Sequence, residues 1–414
     1  MAVALWIICG LTSACTATID PDPNAPSTAA TLPTATSVSI VPVTPDGLIT
    51  GPGITDSSIT LGLLVDPERD RGFTDGVKLW RNSVNASGGL CGRSVQLMSN
   101  GSAGVPADAL AAYDYVGRST LGLITLPAVE QAASLNARIV ADQIPALTPS
   151  GTSAQLGPSR AIVVGATDDI LTINALDYLS QTGRIAGQDT VGVLTDLSAS
   201  AANGLTGAQW WAQQHGVTLD VRIVRPGVAS PKWDGVRTVV ALADAPTVGR
   251  LAAAAPSTTT IVTTTDGYDQ ARWDKAALAV ATAGRVLVST PTPVIGSDYP
   301  ATAVVTAAFT HAGGTDPGPR LLAGYATAAT WTRLLTQACT DRSLTRSAVE
   351  QAATTIGASS AESLFGPTDP GQAVESGLPA TRVSAMATAD PSVPSGLTPL
   401  TGLESASDIE SYQP

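Results

Sequence analysis

Charge is scarce in this chain of 414 residues: Asp, Glu, Lys and Arg together make up 14% of it, and Phe, Trp and Tyr only 4%. Lysine is confined to Lys78, Lys232 and Lys275. The net charge is −12 and no Lys/Arg cluster offsets it. Phosphate neutralisation needs concentrated positive charge, so nucleic acid is excluded as a partner. No apolar run approaches the ~20 residues of a membrane-spanning helix. The two histidines, His215 and His311, stand just before Gly216 and Gly313-Gly314. There a cation suits a helix C-terminus, and neither reads as a catalytic base. No nucleophile elbow, phosphate-binding Gly-x-x-x-x-Gly-Lys or His/Cys ligand cluster is present. Nothing argues for an enzyme, a metal or a cofactor. With 44% hydrophobic residues and few aromatics, the core must be built from Ala, Val, Thr and other small side chains.

The N-terminus carries the apolar run Ala2–Ile8, then Thr12-Ser13-Ala14-Cys15. This order is similar to a bacterial lipoprotein signal, in which the cysteine is cut and lipidated. Residues 1–15 are read as that signal, with Cys15 as the lipid site. Cys9 is a poorer one because bulky Ile8 precedes it. The reading predicts an extracytoplasmic protein, anchored by lipid to the outer face of the cytoplasmic membrane and touching it only through that anchor. Residues 16–54, rich in Pro, Thr, Ser and Ala, are expected to be a disordered tether. Cys91 and Cys339 are then an even pair in an oxidising compartment, either bridged or buried as two thiols; a disulfide is expected. The sequons at Asn85 and Asn100 are read as chance matches.

Order begins at Ser58. Ser58–Val65 is a short apolar run of strand type, and Phe73, Val77, Trp80 and Val84 then recur at spacings of one helical face. Strand, helix and strand alternate from there to Ser289, which implies βαβ units and parallel sheets. Long helical patterns follow at 299–312, 321–340 and 345–356. After Gly366 prolines limit helices, and 399–414 is expected to be a loose tail. About 350 residues remain once signal and tail are set aside, enough for two domains. The fold class is α/β, in two lobes, each a doubly wound parallel sheet flanked by helices.

Several phrases occur in a telling order: Val84-Asn85-Ala86-Ser87-Gly88-Gly89-Leu90-Cys91-Gly92-Arg93 before a strand, Ile144-Pro145 and then Pro149-Ser150-Gly151-Thr152-Ser153, and Gly324-Tyr325-Ala326 opening a long helix. Over roughly Thr55 to Pro370 the chain resembles the leucine/isoleucine/valine-binding group of type I periplasmic binding proteins. The Gly-Gly has a local reason, ending the helix and reversing the chain. The resemblance implies two lobes joined by three crossovers, expected near 165–168, 289–293 and 364–367. Lobe 1 would then combine 55–166 with 292–363, and lobe 2 would combine 167–291 with 364–398. It also implies a ligand in the cleft at the carboxyl ends of the strands, hinge closure, a monomer, and ABC permease subunits as partners.

In that family, hydroxyls and backbone N–H groups of the first lobe hold a ligand carboxylate, and an acid of the second lobe holds its ammonium. Ser150-Gly151-Thr152 matches the hydroxyl loop, or is an ordinary N-cap. Thr125 is the one hydroxyl where the family carries a run of serines. Asp266 stands where the family's ammonium-binding acid does, or caps the following turn, and Tyr268 would wall the pocket. The expected function is capture of a small polar ligand, an amino acid or similar, for an ABC importer. The alternative is a sensor or scaffold lipoprotein on the same fold, binding a small molecule or a partner protein.

Overall fold

The computed structural model describes residues 44, 46–66, 70–99, 106–125, 135, 137–157, 161–225, 228, 230–360 and 363–414. The signal with Cys9 and Cys15, the tether up to residue 43, the Asn100 sequon and most of the helical pattern at 128–143 lie outside them. Among the described residues no helix is long and apolar enough to cross a membrane.

Two separate sheets form the cores. The first has five parallel strands in the order β3-β2-β4-β5-β6. They are β2 (Ser58–Leu64), β3 (Ser94–Ser99), β4 (Leu123–Thr125), β5 (Ala146–Thr148) and β6 (Ala161–Val163). The second has seven strands: β7 (Thr190–Thr195), β8 (Thr218–Ile223), β9 (Thr238–Leu242), β10 (Thr260–Thr264), β11 (Val286–Thr290), β13 (Ala385–Ala389) and β14 (Leu397–Pro399). Their order is β14-β13-β11-β10-β9-β7-β8. Strands β4, β5, β6, β9 and β11 are buried throughout, as expected of parallel strands covered on both faces. One strand departs from an all-parallel sheet: β13 runs against both its neighbours, β11 and β14.

The first sheet is covered by α1 (Arg71–Ala86), α2 (Pro106–Val116), α7 (Pro300–His311), α8 (Leu321–Thr340) and α9 (Arg346–Thr355). Phe73, Val77 and Trp80 of α1 face the core as their spacing predicts, and Val84 is partly buried. The helix ends in two left-handed glycines, Gly88 (φ 96°) and Gly89 (φ 80°). A Cβ on Gly89 would lie 2.0 Å from the Arg93 carbonyl oxygen. Asn85 then ties the helix end to β3, accepting from the Val95 N–H at 2.7 Å and donating to its carbonyl at 2.9 Å. Cys91 and Cys339 are disulfide-bonded within this lobe, with their Cα atoms 6.2 Å apart.

The second sheet is covered by α3 (Asp168–Gln181), α4 (Ala199–His215), α5 (Ala245–Ala254) and α6 (Lys275–Thr282). In α4, Trp211 is fully buried while the partly buried Trp210 packs on Tyr412 at 5.0 Å. His215 ends α4, stacked on Trp211 and 3.3 Å from Asp408.

The chain passes between the sheets three times. The first passage runs from β6 to α3 and the second from β11 to α7. The third comes later than 364–367. Leu364 and Phe365 belong to the first lobe's core, and the short helix α10 (Pro370–Glu375) packs on α9 and β6. The crossing therefore falls between Glu375 and β13.

The ends of the folded part are also corrected. The expected tether is already ordered at its close: Leu48 is buried, and β1 (Ile49–Thr50) pairs with β12 (Ser343–Leu344). The expected loose tail is packed on the second lobe, with Ala406, Ile409 and Tyr412 buried. Arg382 donates to the carbonyls of Ile409 and Tyr412, and Asn174 accepts from the Ala406 N–H. Widely spaced apolar residues in a Pro/Gly-rich segment give no periodicity, so only the receiving surface reveals that they dock.

Candidate ligand site between the lobes

The carboxyl ends of β2, β4 and β5 in the first lobe, and the loop after β10 with the N-terminus of α3 in the second, carry the candidate residues. Thr125 closes β4; it is 2% exposed, and its hydroxyl has no hydrogen-bond partner among the described residues. A buried hydroxyl without a partner is costly, which marks it as available to a ligand.

The Ser150-Gly151-Thr152 loop is largely self-satisfied. The Thr148 hydroxyl donates to the Ser150 carbonyl at 2.8 Å, and the Gly151 carbonyl accepts from the Asp168 N–H at 2.9 Å. Thr152 forms a capping box with Gln155, whose side-chain oxygen takes the Thr152 N–H at 2.8 Å. This is the N-cap reading of the loop. Gly151 has a packing reason, because a Cβ there would lie 2.2 Å from the Gln155 side-chain oxygen.

Asp266 sits in the turn after β10, but its carboxylate is engaged. Arg320, immediately before α8 in the first lobe, donates to Asp266 at 2.5 Å and to the Thr265 carbonyl at 3.0 Å. The same guanidinium donates to Asp70 at 3.0 Å. Asp70 is fully buried ahead of α1, whereas the Asp266 side chain is 47% exposed. One arginine thus joins a buried acid of its own lobe to an exposed acid of the other. Tyr268 turns away from the cleft into the second lobe's core, edge-on to Trp273 at 5.0 Å.

Asp168 opens α3 and is 5% exposed. Burial, then the charge on Asp266, push its carboxyl well above the ordinary carboxylate value; a hydrogen bond from Ser200 opposes them and the charge on Asp169 adds to them. A carboxyl shifted this way leans toward its protonated form, in which it is an O–H donor. Its neighbour Asp169 is structural, accepting from the hydroxyls of Ser153 at 2.5 Å and Tyr412 at 2.8 Å, and from Thr167.

Residues 68–384, most of the folded part, match the family model described as periplasmic binding protein. The chain belongs to the periplasmic binding protein family. As a periplasmic binding protein it binds a solute rather than transforming one, and it works outside the cytoplasm. No curated protein matches the sequence; solved structures do match the fold. A fatty acid ABC transporter substrate-binding protein from Thermomonospora curvata superposes with a TM-score of 0.80 at 21% identity, over 90% of this chain and 98% of that one. A possible leucine/isoleucine/valine-binding protein from Rhodopirellula baltica gives 0.68 at 14%, over 83% and 96%. A branched chain amino acid ABC transporter from Thermus thermophilus, with bound valine, gives 0.67 at 13%, over 86% and 99%. These likenesses are of fold.

Arg320, Asp70 and Asp168 were not foreseen as site residues in this periplasmic binding protein. The crowding of charge at Asp66–Arg71 was a visible signal for Asp70. Asp168 read as an acid in a helix's first turn, which suits the dipole and hides its burial. Arg320 carried no local signal, since its partners lie 250 and 54 residues away.

Proposed function

We propose that this protein is the solute receptor of an ABC importer, held to the membrane by lipid on Cys15, and that its interlobe ligand is a small carboxylic acid. The observation that carries the ligand class is the Arg320–Asp266 pair. Where an amino acid's ammonium would be held, the acid is already neutralised by an arginine, so the site does not ask for a cation. Arg320 is instead a planar donor whose interlobe partner is a carboxylate on a half-exposed side chain. A ligand carboxylate can take that place as Asp266 swings into solvent, keeping the charge-assisted geometry. Asp168, whose burial favours the protonated form, and the Thr125 hydroxyl, without a partner among the described residues, add neutral donors. The three structural relatives agree in one respect: a fatty acid, valine and leucine/isoleucine/valine are all carboxylic acids.

Titration calorimetry with valine, isovalerate, isovaleramide and isoamylamine tests this reading. The acids should bind and the amide and amine should not. Arg320→Gln should weaken acid binding by about 10- to 100-fold, as loss of a hydrogen bond to a charged group does. Asp266→Asn should leave it unchanged or tighter. Binding of the amine without the acid, or full acid affinity in Arg320→Gln, would sink the proposal. Release of the Cys15→Ser protein from the membrane fraction checks the anchor.

A further inference from the structure

Away from the cleft, α7, α8 and residues 358–360, 363, 364 and 368 of the first lobe line a groove of about 520 Å³. Its size lies within the range of small-molecule sites, roughly 300–1,000 Å³. The walls are apolar: Ala301 and Val305 from α7 face Tyr325, Ala326 and Ala329 from α8. Val304 stands at the rim, 68% exposed.

The polar side is dominated by one cation, Arg333. Its Nη2 donates to the carbonyls of Ile356 at 3.1 Å and Gly357 at 2.9 Å. Among the described residues no carboxylate pairs with it, and its Nε and Nη1 donors have no described partner. Asp369, the acid whose charge it feels, is turned to the N-terminus of α10, accepting from Gly371 and Gln372. Two of the hydroxyls that line the groove are already used: Ser359 donates to the Gly366 carbonyl at 2.8 Å and Thr330 to the Ala326 carbonyl at 3.1 Å. Burial lowers the pKa of Arg333, so the guanidinium is partly stripped of water. A partly desolvated cation whose nearest acid is turned to another partner gains from a carboxylate that can reach it.

A groove with an apolar wall and, facing it, one arginine that pairs with no carboxylate among the described residues has the charge and shape of a complement to an amphipathic anion. We propose that this groove is a second ligand site, outside the cleft, for a monocarboxylate with an apolar chain. The carboxylate would lie on the open donors of Arg333 and the chain between α7 and α8. This inference does not depend on the cleft's ligand.

Octanoate is the probe, with octanamide as its uncharged counterpart, titrated into the purified protein by calorimetry. The expected result is octanoate binding that falls at least tenfold in Arg333→Gln and in Val304→Glu, and persists in Arg320→Gln. The Val304 variant guards against misfolding, since it alters only an exposed rim position and sets a repelling charge beside the groove. Octanamide should bind at least tenfold more weakly. Absence of octanoate binding overturns the proposal. So does binding lost in Arg320→Gln but kept in both groove variants, which assigns it to the cleft. Equal affinity for octanamide overturns it too, leaving an apolar surface with no role for Arg333.

Discussion

Arg320 and Asp168 hold the residue-scale argument, because both are charged types placed where charge is hard to solvate. Arg320 is 12% exposed and is satisfied by two carboxylates and a carbonyl. Removing one partner of such a buried pair costs more than the pair contributes, because the other charge remains. Asp168 meets the same problem by a shift toward its protonated form. An acid raised above its ordinary value of 3.8 when folded binds more protons in the native than in the unfolded state across the interval between the two values. Its stabilising protonated form is fully present below the unfolded value and is lost as pH rises through the folded one. Asp168→Asn removes that titration. Its urea midpoint relative to the native protein should therefore rise as the pH is raised above 4; a parallel pair of profiles would show that Asp168 is not shifted on folding.

Helices α1 and α8 show how an element's contacts override its own preferences. Asp70–Arg320 joins one end of the pair, and the Trp80 indole donates to the Thr332 hydroxyl at 2.9 Å further along. Between them the backbones touch: a Cβ on Gly76 would lie 2.1 Å from the Leu321 carbonyl oxygen, and one on Gly324 would lie 2.1 Å from that of Phe73. Helix propensity alone favours Gly76→Ala by about 1 kcal/mol. Backbone cannot yield to a 2.1 Å contact, and overpacking of this kind costs about 1–3 kcal/mol. The contact wins, so Gly76→Ala should lower the urea midpoint at unchanged slope. Because that contact adjoins Arg320, the variant should also weaken acid binding in the cleft. The C-terminal segment makes the same point in reverse. It has no periodic pattern, yet Tyr412 reaches Asp169 and covers Trp210.

Across the two lobes, the sheets have separate cores, three connections and, among the described residues, one interlobe ion pair joined through Arg320. That is the mechanical requirement for hinge closure: rigid bodies with few links between them. The Cys91–Cys339 bond lies inside one body and spans 248 residues of sequence. Its effect on the unfolded chain is large in the loop-entropy picture, about 4–5 kcal/mol at the upper end, and its effect on the hinge should be nil. The double variant Cys91→Ser/Cys339→Ser should lose stability by up to that amount while its ligand affinity stays unchanged. A change in affinity with little loss of stability would place the bond in the closing motion instead.

The alternation of strands and helices, the two-lobe plan and the pairing of Cys91 with Cys339 were legible in the residues themselves. Apolar spacing and glycine stops are local signals that burial on both faces of a parallel sheet makes strong. Asn85-Ala86-Ser87-Gly88-Gly89 could be read as a helix stop for the same reason, although the Asn85 grip on β3 could not. What tertiary structure alone decided was every contact made across distance. It set Arg320 against Asp70 and Asp266, turned Tyr268 inward, buried Asp168, moved the third crossing past α10 and docked the tail. Those outcomes depend on which surfaces meet after the chain has crossed between lobes, and local composition carries no record of that meeting.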